Sequence, residues 1–274
     1  MTRLVHLTDL HFGKERADLV APLAKAVRGA APDLVIITGD LTHRARPAQF
    51  RQAMGFLRGL DLPFVAVPGN HDIPLFNLPL RLVAPFRRWR RGVGATVPPV
   101  AVAGPLRILP ANTADPFRWR RGLLRADDVQ RATADLSAGA LNVLACHHPL
   151  TEPPGFQRGE TRGAAQALPA LARQGLHVVL SGHLHHWNIG LGITPTRPQP
   201  VLMVQTGTAL CARAGERDHG FALIEAQGAD VSVTPWIASA AGFAPHPARR
   251  FRRAAGAWHM SDANPAAPQM SESW

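Results

Sequence analysis

The chain has 274 residues, of which 46% are hydrophobic, enough for one core but short for two domains. We therefore expect one globular domain over residues 1–243. No run of 18 uncharged apolar residues occurs, and the N-terminal segment turns polar at Thr8, which argues against a spanning helix and a signal peptide. Cys146 and Cys211 are too few for a disulfide framework, so we expect reduced cysteines and a cytoplasmic location.

The net charge is +11, and 28 of the 30 basic residues are arginine. Such an excess is typical of proteins whose partner is a nucleic acid, an anionic membrane or an anionic substrate. The alternative is a biased composition, because Arg, Ala, Gly and Pro are all abundant and Tyr is absent. The arginines are clustered at residues 87–91, 118–121 and 249–253, and clustering favours an anionic partner.

Short β-rich runs alternate along the first two thirds of the chain with segments of helical period, which predicts a largely parallel sheet with crossover helices. The predicted strands are 4–8, 34–38, 64–67, 106–109, 141–146 and 177–180. The predicted helices are 18–28 with Asp18 as N-cap, 47–58, 78–91, 125–136 and 164–173.

The C-terminal third has a different pattern. Residues 201–205, 221–226 and 231–236 read as strands without intervening helices, and we expect them to form an antiparallel sheet. Residues 244–274 are rich in Pro, Ala, Ser and Arg, and we expect a disordered basic tail.

Five predicted strands end in polar clusters of Asp, Asn or His. The clusters are Asp9-Leu10-His11, Gly39-Asp40, Gly69-Asn70-His71-Asp72, His147-His148 and Gly182-His183-Leu184-His185. Each cluster alone is equally well explained as a turn. Five together favour a common site, because parallel strands bring their carboxyl ends to one edge of a sheet.

The residue types at these strand ends indicate the chemistry. Imidazole, carboxylate and amide ligands without thiolate suit Mn, Fe, Zn or Co. Seven candidate donors are too many for one ion, but they fit two ions that share a carboxylate. A bridged pair of ions about 3.5 to 4 Å apart activates a water and holds both oxygens of a displacement at phosphorus. The sequence therefore predicts phosphoester hydrolysis.

The order of these five clusters resembles the calcineurin-like metallophosphoesterases, over residues 4–236. The resemblance implies an α/β fold, a four-layer αββα sandwich of two mixed sheets flanked by helices, with two metal ions at the strand ends. It implies these roles: Asp9, His11 and His185 on the first ion, Asp40 bridging, and Asn70, His147 and His183 on the second. It also implies that His71 contacts the phosphate and stabilises or protonates the leaving oxygen, oriented by Asp72, and that His148 supports the site.

Within that family the chain is most similar to the cyclic-nucleotide and glycerophosphodiester phosphodiesterases, which implies a small anionic phosphodiester substrate. Residues 75–121, rich in Arg and Trp, match no recognition segment and are interpreted as a cap or a surface segment. We expect Arg87, Arg88, Arg90 and Arg91 to overhang the mouth of the metal site and to capture substrate. Asn112 and His219 are further candidates for facing the substrate.

Three other functions stay open on the sequence. The basic, Trp-containing segments also fit a nucleotide-lipid pyrophosphatase that contacts an anionic membrane. A metal-free binding module on the same fold is opposed by the intact donor set. Nucleic-acid binding is opposed by the absence of Tyr, the single aromatic residue in each arginine cluster and the lack of a recognition motif. The oligomeric state is left open.

Overall fold

A computed structural model describes residues 1–153, 156, 161–191 and 201–261. Its strands form two mixed sheets. The strands of the first sheet are β1 (Thr2–Leu7), β2 (Leu34–Thr38), β3 (Phe64–Val67), β10 (Gly220–Gln227), β11 (Asp230–Ser239), β12 (Gly242–Pro245), β13 (Arg249–Ala254) and β14 (Ala257–Met260). The strands of the second sheet are β4 (Ala101–Ala103), β5 (Leu106–Pro110), β6 (Leu141–Ala145), β7 (Leu176–Ser181), β8 (Asn188–Leu191) and β9 (Leu202–Gln205).

Helices connect the parallel strands of both sheets. They are α1 (Ala17–Gly29), α2 (Pro47–Gly59), α3 (Leu78–Val83), α4 (Arg87–Gly92), α5 (Ala126–Ala134) and α6 (Ala164–Arg173), with a short 3₁₀ turn at Asn70–Asp72. Helix α1 begins one residue before Asp18, which lies in its first turn and pairs with Arg16 instead of capping the helix. Within the described ranges, no helix has the length and apolarity needed to cross a membrane.

The strand order is β14-β13-β11-β10-β1-β2-β3 in the first sheet, with β12 paired to β11, and β4-β5-β6-β7-β9-β8 in the second. Strands β1, β2 and β3 are parallel to one another, as are β5, β6, β7 and β9. The carboxyl ends of β1, β2 and β3 therefore lie at one edge of the first sheet, and those of β6 and β7 at one edge of the second.

Three apolar clusters separate four layers of structure. Alternate residues of each strand enter different clusters, as the two-residue period of a strand requires. Val5 of β1 packs with Leu23 of α1 in the first cluster, whereas Leu4 packs with Val143 of the second sheet in the middle cluster. In the third cluster, residues of β6 and β7 pack against α6. This arrangement confirms the predicted α/β sandwich of helix, sheet, sheet and helix.

The predicted helix 78–91 is two short helices. Helix α3 ends at Val83 and α4 begins at Arg87. Pro85 lies between them, and proline lacks a backbone N–H and disfavours helical backbone at the residue before it. The break divides the apolar residues of the segment: Phe86 and Trp89 are buried in the first core cluster, whereas Leu82 and Val83 are exposed. One half of the segment therefore packs in the core, and the other half is exposed.

Two expectations for the C-terminal third are wrong. Strands β10 and β11 pair antiparallel as expected, but the strands of residues 201–236 do not form one sheet, because β9 joins β7 in parallel and β10 also pairs with β1. Residues 244–261 are not a disordered tail, because β13 and β14 form a hairpin on β11. Phe251 and Trp258 anchor this hairpin in the core between the sheets, which the arginines around them conceal in the sequence. Residues 262–274 lie outside the described ranges.

Candidate metal centre

All seven predicted donors lie just beyond strand ends, four in the first sheet and three in the second. The four are Asp9 and His11 after β1, Asp40 after β2 and Asn70 after β3; the three are His147 after β6 and His183 and His185 after β7. The sheets pack face to face, so the strand ends of both sheets meet at one end of the sandwich. The predicted convergence of strand ends therefore occurs, but between two sheets instead of along one.

The first group of donor atoms surrounds His11 Nε2. Asp9 Oδ1 lies 3.4 Å from it and His185 Nε2 lies 3.2 Å from it, while Asp9 Oδ1 and His185 Nε2 are 3.0 Å apart. Two ligands that bind one ion at about 2.1 Å are separated by about 3.0 Å at a right angle and about 3.4 Å at the tetrahedral angle. The spacing therefore fits ligands of a single ion.

The second group surrounds His147 Nε2. Asn70 Oδ1 lies 3.1 Å from this nitrogen and His183 Nδ1 lies 3.3 Å from it. Asp40 joins the two groups, since its Oδ2 atom lies 3.4 Å from His147 Nε2 and 3.6 Å from His11 Nε2. The donor set thus has room for two ions with one carboxylate between them.

Five of these seven residues have left-handed backbone conformations. The φ angles are 53° at Asp9, 49° at His11, 52° at Asp40, 72° at His183 and 54° at His185. Non-glycine residues rarely adopt such angles, and each costs on the order of 1 kcal/mol or more. Strain at five donors in one site is typical of a functional centre, where the fold holds side chains in positions that local preference opposes.

Two buried carboxylates make the site anionic. Burial alone would raise the pKa of Asp9 and of Asp40, but nearby histidines outweigh burial and hold both values below the ordinary range. Burial likewise lowers the pKa of His147, but the Asp40 carboxylate raises it to about 9. The pKa of His185 is raised by Asp9 in the same way. In the metal-free chain, protons on these imidazoles offset the carboxylates, and a cation at the same place would displace those protons.

Hydrogen bonds fix which nitrogen of two donor histidines faces the site. The Nδ1–H of His147 donates to the Thr38 carbonyl over 2.8 Å, and that of His185 donates to Glu216 Oε1 over 2.6 Å. Each Nε2 atom therefore keeps its lone pair for a cation. Glu216 does not belong to any predicted cluster. It lies in a polar loop without a strand end or a ligand spacing, so nothing in the sequence distinguished it.

The His71 side chain is held by residues other than the predicted one. Its Nδ1–H donates to the His43 carbonyl over 2.8 Å, so its Nε2 is an acceptor, and the Arg213 guanidinium donates to that atom over 2.7 Å. Burial lowers the pKa of His71 to about 4, consistent with a neutral ring. Sequence reasoning missed both His43 and Arg213.

The prediction that Asp72 orients His71 is wrong. The Asp72 carboxylate accepts hydrogen bonds from the backbone N–H groups of Leu41, Thr42 and Gly69 and from the Thr42 hydroxyl. Burial, and then the charge of Asp40, raise the pKa of Asp72 to about 7. Asp72 therefore joins the loops that follow β2 and β3, and it acts on the site by fixing their positions.

A cavity of about 480 Å³ opens over the donor atoms. Asp40, Asn70, His183 and His185 form its floor, and its walls include His71, Phe156, Glu216 and two arginines, Arg120 and Arg213. Such a cavity admits a small anionic molecule to the donor atoms.

Several other predicted residues lie away from this cavity. Asn112 is buried and accepts from Ala114 N–H, and buried His219 donates to the Cys211 carbonyl, so neither faces a substrate. His148 is buried beside the site, with its Nδ1 3.0 Å from Thr113 Oγ1 and its ring next to those of His147 and His183, and its role as a supporting or merely structural residue stays a prediction. The expectation for the arginine cluster is wrong: Arg87, Arg88 and Arg91 line a separate groove beside α2, and Arg90 lines another cavity, with Arg131 and Asp135.

The sequence pattern of the calcineurin-like phosphoesterase family matches residues 2–187 of the chain. The chain belongs to this family. It is therefore a metal-dependent phosphoesterase, as the strand-end clusters predict. The matched range contains all seven candidate donors and ends before Arg213 and Glu216.

Proteins similar to this chain match different shares of it. A protein named as a probable cyclic nucleotide phosphodiesterase of Synechococcus sp. is 29% identical over 219 residues, covering 74% of this chain and 81% of its own. A cAMP/cGMP dual specificity phosphodiesterase of Mycobacterium tuberculosis is 28% identical over 67% of this chain, which spans 61% of that protein's length. The crystal structure of a dimetal phosphatase from Danio rerio superposes with a TM-score of 0.65 at 14% identity, covering 92% of this chain and 99% of that one. The last likeness confirms the fold.

Proposed function

We propose that this phosphoesterase hydrolyses a small phosphodiester at a centre of two metal ions. Asp9, His11 and His185 hold the first ion, Asn70, His147 and His183 hold the second, and Asp40 bridges them. The observation that carries the proposal is the position of Asp40 Oδ2, within 3.6 Å of a donor nitrogen in each group. The ions are drawn from Mn, Fe, Zn and Co, which the mixed nitrogen and oxygen donors suit.

Bound metal ions supply Lewis acidity that polarises the phosphate. Arg213 and Arg120 line the cavity and offset the charge of the diester. His71 Nε2 faces the same space and accepts from Arg213 in the unbound chain. When a phosphate takes over the Arg213 hydrogen bond, Nε2 becomes free to contact the leaving oxygen and, once protonated, to donate to it.

The proposed substrate is a cyclic nucleotide or a glycerophosphodiester. The names of the two relatives support a cyclic nucleotide. A cavity of about 480 Å³ suits a molecule of mononucleotide size, within the range of small-molecule sites. A nucleotide-lipid pyrophosphate is the second candidate, favoured by the exposed apolar side chains of Phe117 and Trp119, which precede the cavity-lining Arg120.

The first experiment tests the reaction class. Purified wild-type protein and Asp40→Asn are stripped of metal, reloaded with Mn²⁺ and assayed on bis(p-nitrophenyl) phosphate, with metal content measured on the same samples. We expect Mn²⁺-dependent hydrolysis by the wild-type protein only, because an amide does not bridge two cations as a carboxylate does. Asp40→Asn should lose occupancy at both positions. Normal activity with two ions per chain in the variant would remove Asp40 from the bridge.

The second experiment tests the substrate. Cyclic nucleotides, glycerophosphodiesters and nucleotide-lipid pyrophosphates are compared by kcat/KM at saturating Mn²⁺. We expect the highest value for a cyclic nucleotide or a glycerophosphodiester. A preference for the pyrophosphate by tenfold or more, a difference of about 1.4 kcal/mol, would replace the first candidate with the second.

A further inference from the structure

The described part of the chain exposes its large apolar side chains unevenly. Nine such side chains are exposed, and six of them belong to residues 76–83 and 117–119. The six are Phe76, Leu78, Leu82, Val83, Phe117 and Trp119, between 54% and 87% exposed. Single exposed apolar residues are ordinary, whereas a concentration of this kind marks a surface that contacts something.

Arg81 joins the two segments into one face. Its side chain is buried, and it donates to the carbonyl groups of Pro74, Pro116 and Arg118, at 3.2, 2.6 and 2.7 Å. The same guanidinium lies over the Trp119 ring, 5.6 Å from its centroid. Residues 74–83 and 115–119 are therefore held together, and we call their six exposed apolar side chains the apolar face.

The apolar face lies in the most basic part of the chain. Residues 73–124 contain nine arginines and a single acidic residue, Asp115, so they carry eight of the eleven net positive charges. Asp115 is buried. The exposed charged side chains of this segment are therefore all cationic; of its arginines, Arg81 is buried and Arg107 pairs with Asp135.

A groove beside the apolar face contains three of these arginines and two more from α2. It lies between α2 and the α3–α4 segment, has a volume of about 930 Å³, and is lined by Arg51, Arg58, Arg87, Arg88 and Arg91 without any acidic residue. Pro79 and Leu80 of α3 line it as well, so α3 borders both the groove and the apolar face. Within the described chain, Arg88 donates to the Ala45 carbonyl, and the other four guanidinium groups have no hydrogen-bond or ion-pair partner.

We infer that this face docks on an anionic lipid bilayer. Aliphatic and aromatic side chains surrounded by arginine are the combination that binds the interface of a membrane, where the apolar groups enter the acyl boundary and the cations contact lipid phosphates. A nucleic acid would use the arginines but leaves the exposed Leu82 and Val83 without a role. A protein partner with a mixture of acidic and basic residues does not require a docking surface with so many unpaired cations.

Docking would place the mouth of the active site next to the membrane. Arg120, which lines the metal cavity, directly follows Trp119 of the apolar face. At the other end, the Arg44 guanidinium lies over the Phe76 ring, and the neighbouring His43 ring stacks on His71. The docking itself does not depend on the proposed substrate, and it is tested by binding alone.

The test is sedimentation of the full chain with vesicles of phosphatidylcholine, alone or mixed with phosphatidylglycerol. We expect partitioning onto the mixed vesicles, little onto neutral ones, and release at high salt. Arg87→Gln/Arg91→Gln should weaken partitioning on the order of tenfold or more, because two cations are lost near the surface. Leu82→Ser/Val83→Ser should weaken it on the order of tenfold, because two inserted side chains are lost.

Matched controls carry the same changes elsewhere. Lys25→Gln/Arg173→Gln removes two exposed cations from α1 and α6, and Val102→Ser removes an exposed valine from β4. Both should partition like the wild-type protein. All four variants change exposed side chains, so each should unfold at the wild-type temperature and keep wild-type turnover of a soluble diester.

Several results would overturn the inference. One is wild-type protein that stays in the supernatant with both kinds of vesicle. Another is partitioning that falls equally in the face variants and in their controls, which would indicate net charge alone. A third is arginine-dependent binding of a single-stranded oligonucleotide without binding to vesicles, which would assign the arginines to nucleic acid.

Discussion

His71 is the residue whose role depends most on its neighbours. We predict that His71→Ala keeps both metal ions, because its nitrogens do not belong to either donor group. The variant should lose rate by about 10²- to 10⁴-fold if the ring protonates the leaving oxygen. The loss should be smaller for a nitrophenyl leaving group, which needs no proton, than for an alkyl one. The measurement is kcat for both esters at saturating Mn²⁺.

The control is His246→Ala, an exposed histidine on the C-terminal side of β12. It should behave as wild type with either ester. An equal deficit for the two leaving groups in His71→Ala would assign His71 to contact with the phosphate, with no proton donated.

A substitution at Glu216 should change the metal affinity of one proposed position and leave the other unchanged. Its carboxylate holds the His185 ring through Nδ1, so Glu216→Gln should lower the affinity of the position formed by Asp9, His11 and His185. Residues of this kind contribute about 10- to 100-fold to affinity. Titration of the metal-free protein with Mn²⁺ should show one weakened and one unchanged ion. The matched control is Glu225→Gln, in β10 beside Arg3 at the start of β1. Equal Mn²⁺ affinities in the two variants would contradict the assignment.

The grouping of the seven candidate donors was predictable, because each lies at a strand end in a recognisable cluster. His43, Arg213 and Glu216 were not, because a single polar residue in a loop has no spacing that distinguishes it. Asp72 shows a different limit. Its place beside His71 in the sequence suggested a side-chain contact, whereas the turn directs its carboxylate to the backbone of two loops. Two residues that are adjacent in the sequence of a turn need not direct their side chains toward each other.

At the scale of elements, the site depends on how closely the strand ends approach. Gly182, just after β7, packs on the loop after β1, and a Cβ atom there would overlap with Thr8 Oγ1 and Asp9 Oδ2. We predict that Gly182→Ala displaces the Asp9 carboxylate and destabilises the fold by about 1 to 3 kcal/mol. Hydrolysis of the chromogenic diester should fall at least tenfold. Urea unfolding and the diester assay measure the two effects.

The matched control is Gly190→Ala in β8, where a Cβ atom meets nothing within 4 Å. Its stability should change by less than about 0.5 kcal/mol, with normal activity. If Gly182→Ala is as active as this control, the approach of β7 to β1 is not needed for the site.

Most elements were predictable from periodicity. The bounds of β2 and β3 are those expected, because both strands are continuous apolar runs. The hairpin of β13 and β14 was not predictable, because its two core anchors, Phe251 and Trp258, are isolated in a basic sequence. The period of apolar residues also does not predict which sheet a strand joins, because nothing in the local sequence determines that β9 pairs with β7 and β10 with β1.

At the scale of the molecule, the donors connect two sheets that pack on each other through the middle apolar cluster. Metal ions held by donors from both sheets would cross-link the two halves of the sandwich. We therefore predict that Mn²⁺ raises the thermal unfolding midpoint and that a chelator reverses the rise. An ion present at 100 times its dissociation constant adds about 2.7 kcal/mol to the free energy of unfolding. Differential scanning calorimetry of the stripped and reloaded protein measures the change.

Asp40→Asn serves as the reference for this effect, because it should unfold at a temperature that responds weakly to Mn²⁺. A wild-type midpoint that does not move, in protein shown to hold two ions, would mean that the ions do not link the sheets. The same two samples also provide the metal content that the diester assay requires.

Strand β1 lies in the middle of the first sheet, between β2 and β10, and its pairing with β10 joins Thr2 to Ala226 and Leu4 to Ile224. Closing so long a loop makes folding slow, because chain entropy is lost before the contacts form. A fragment ending at residue 187 would contain every candidate donor, yet it would present the open edge of a buried strand, which invites aggregation. The stretch that contains the candidate donors and the unit that folds are therefore different lengths of chain.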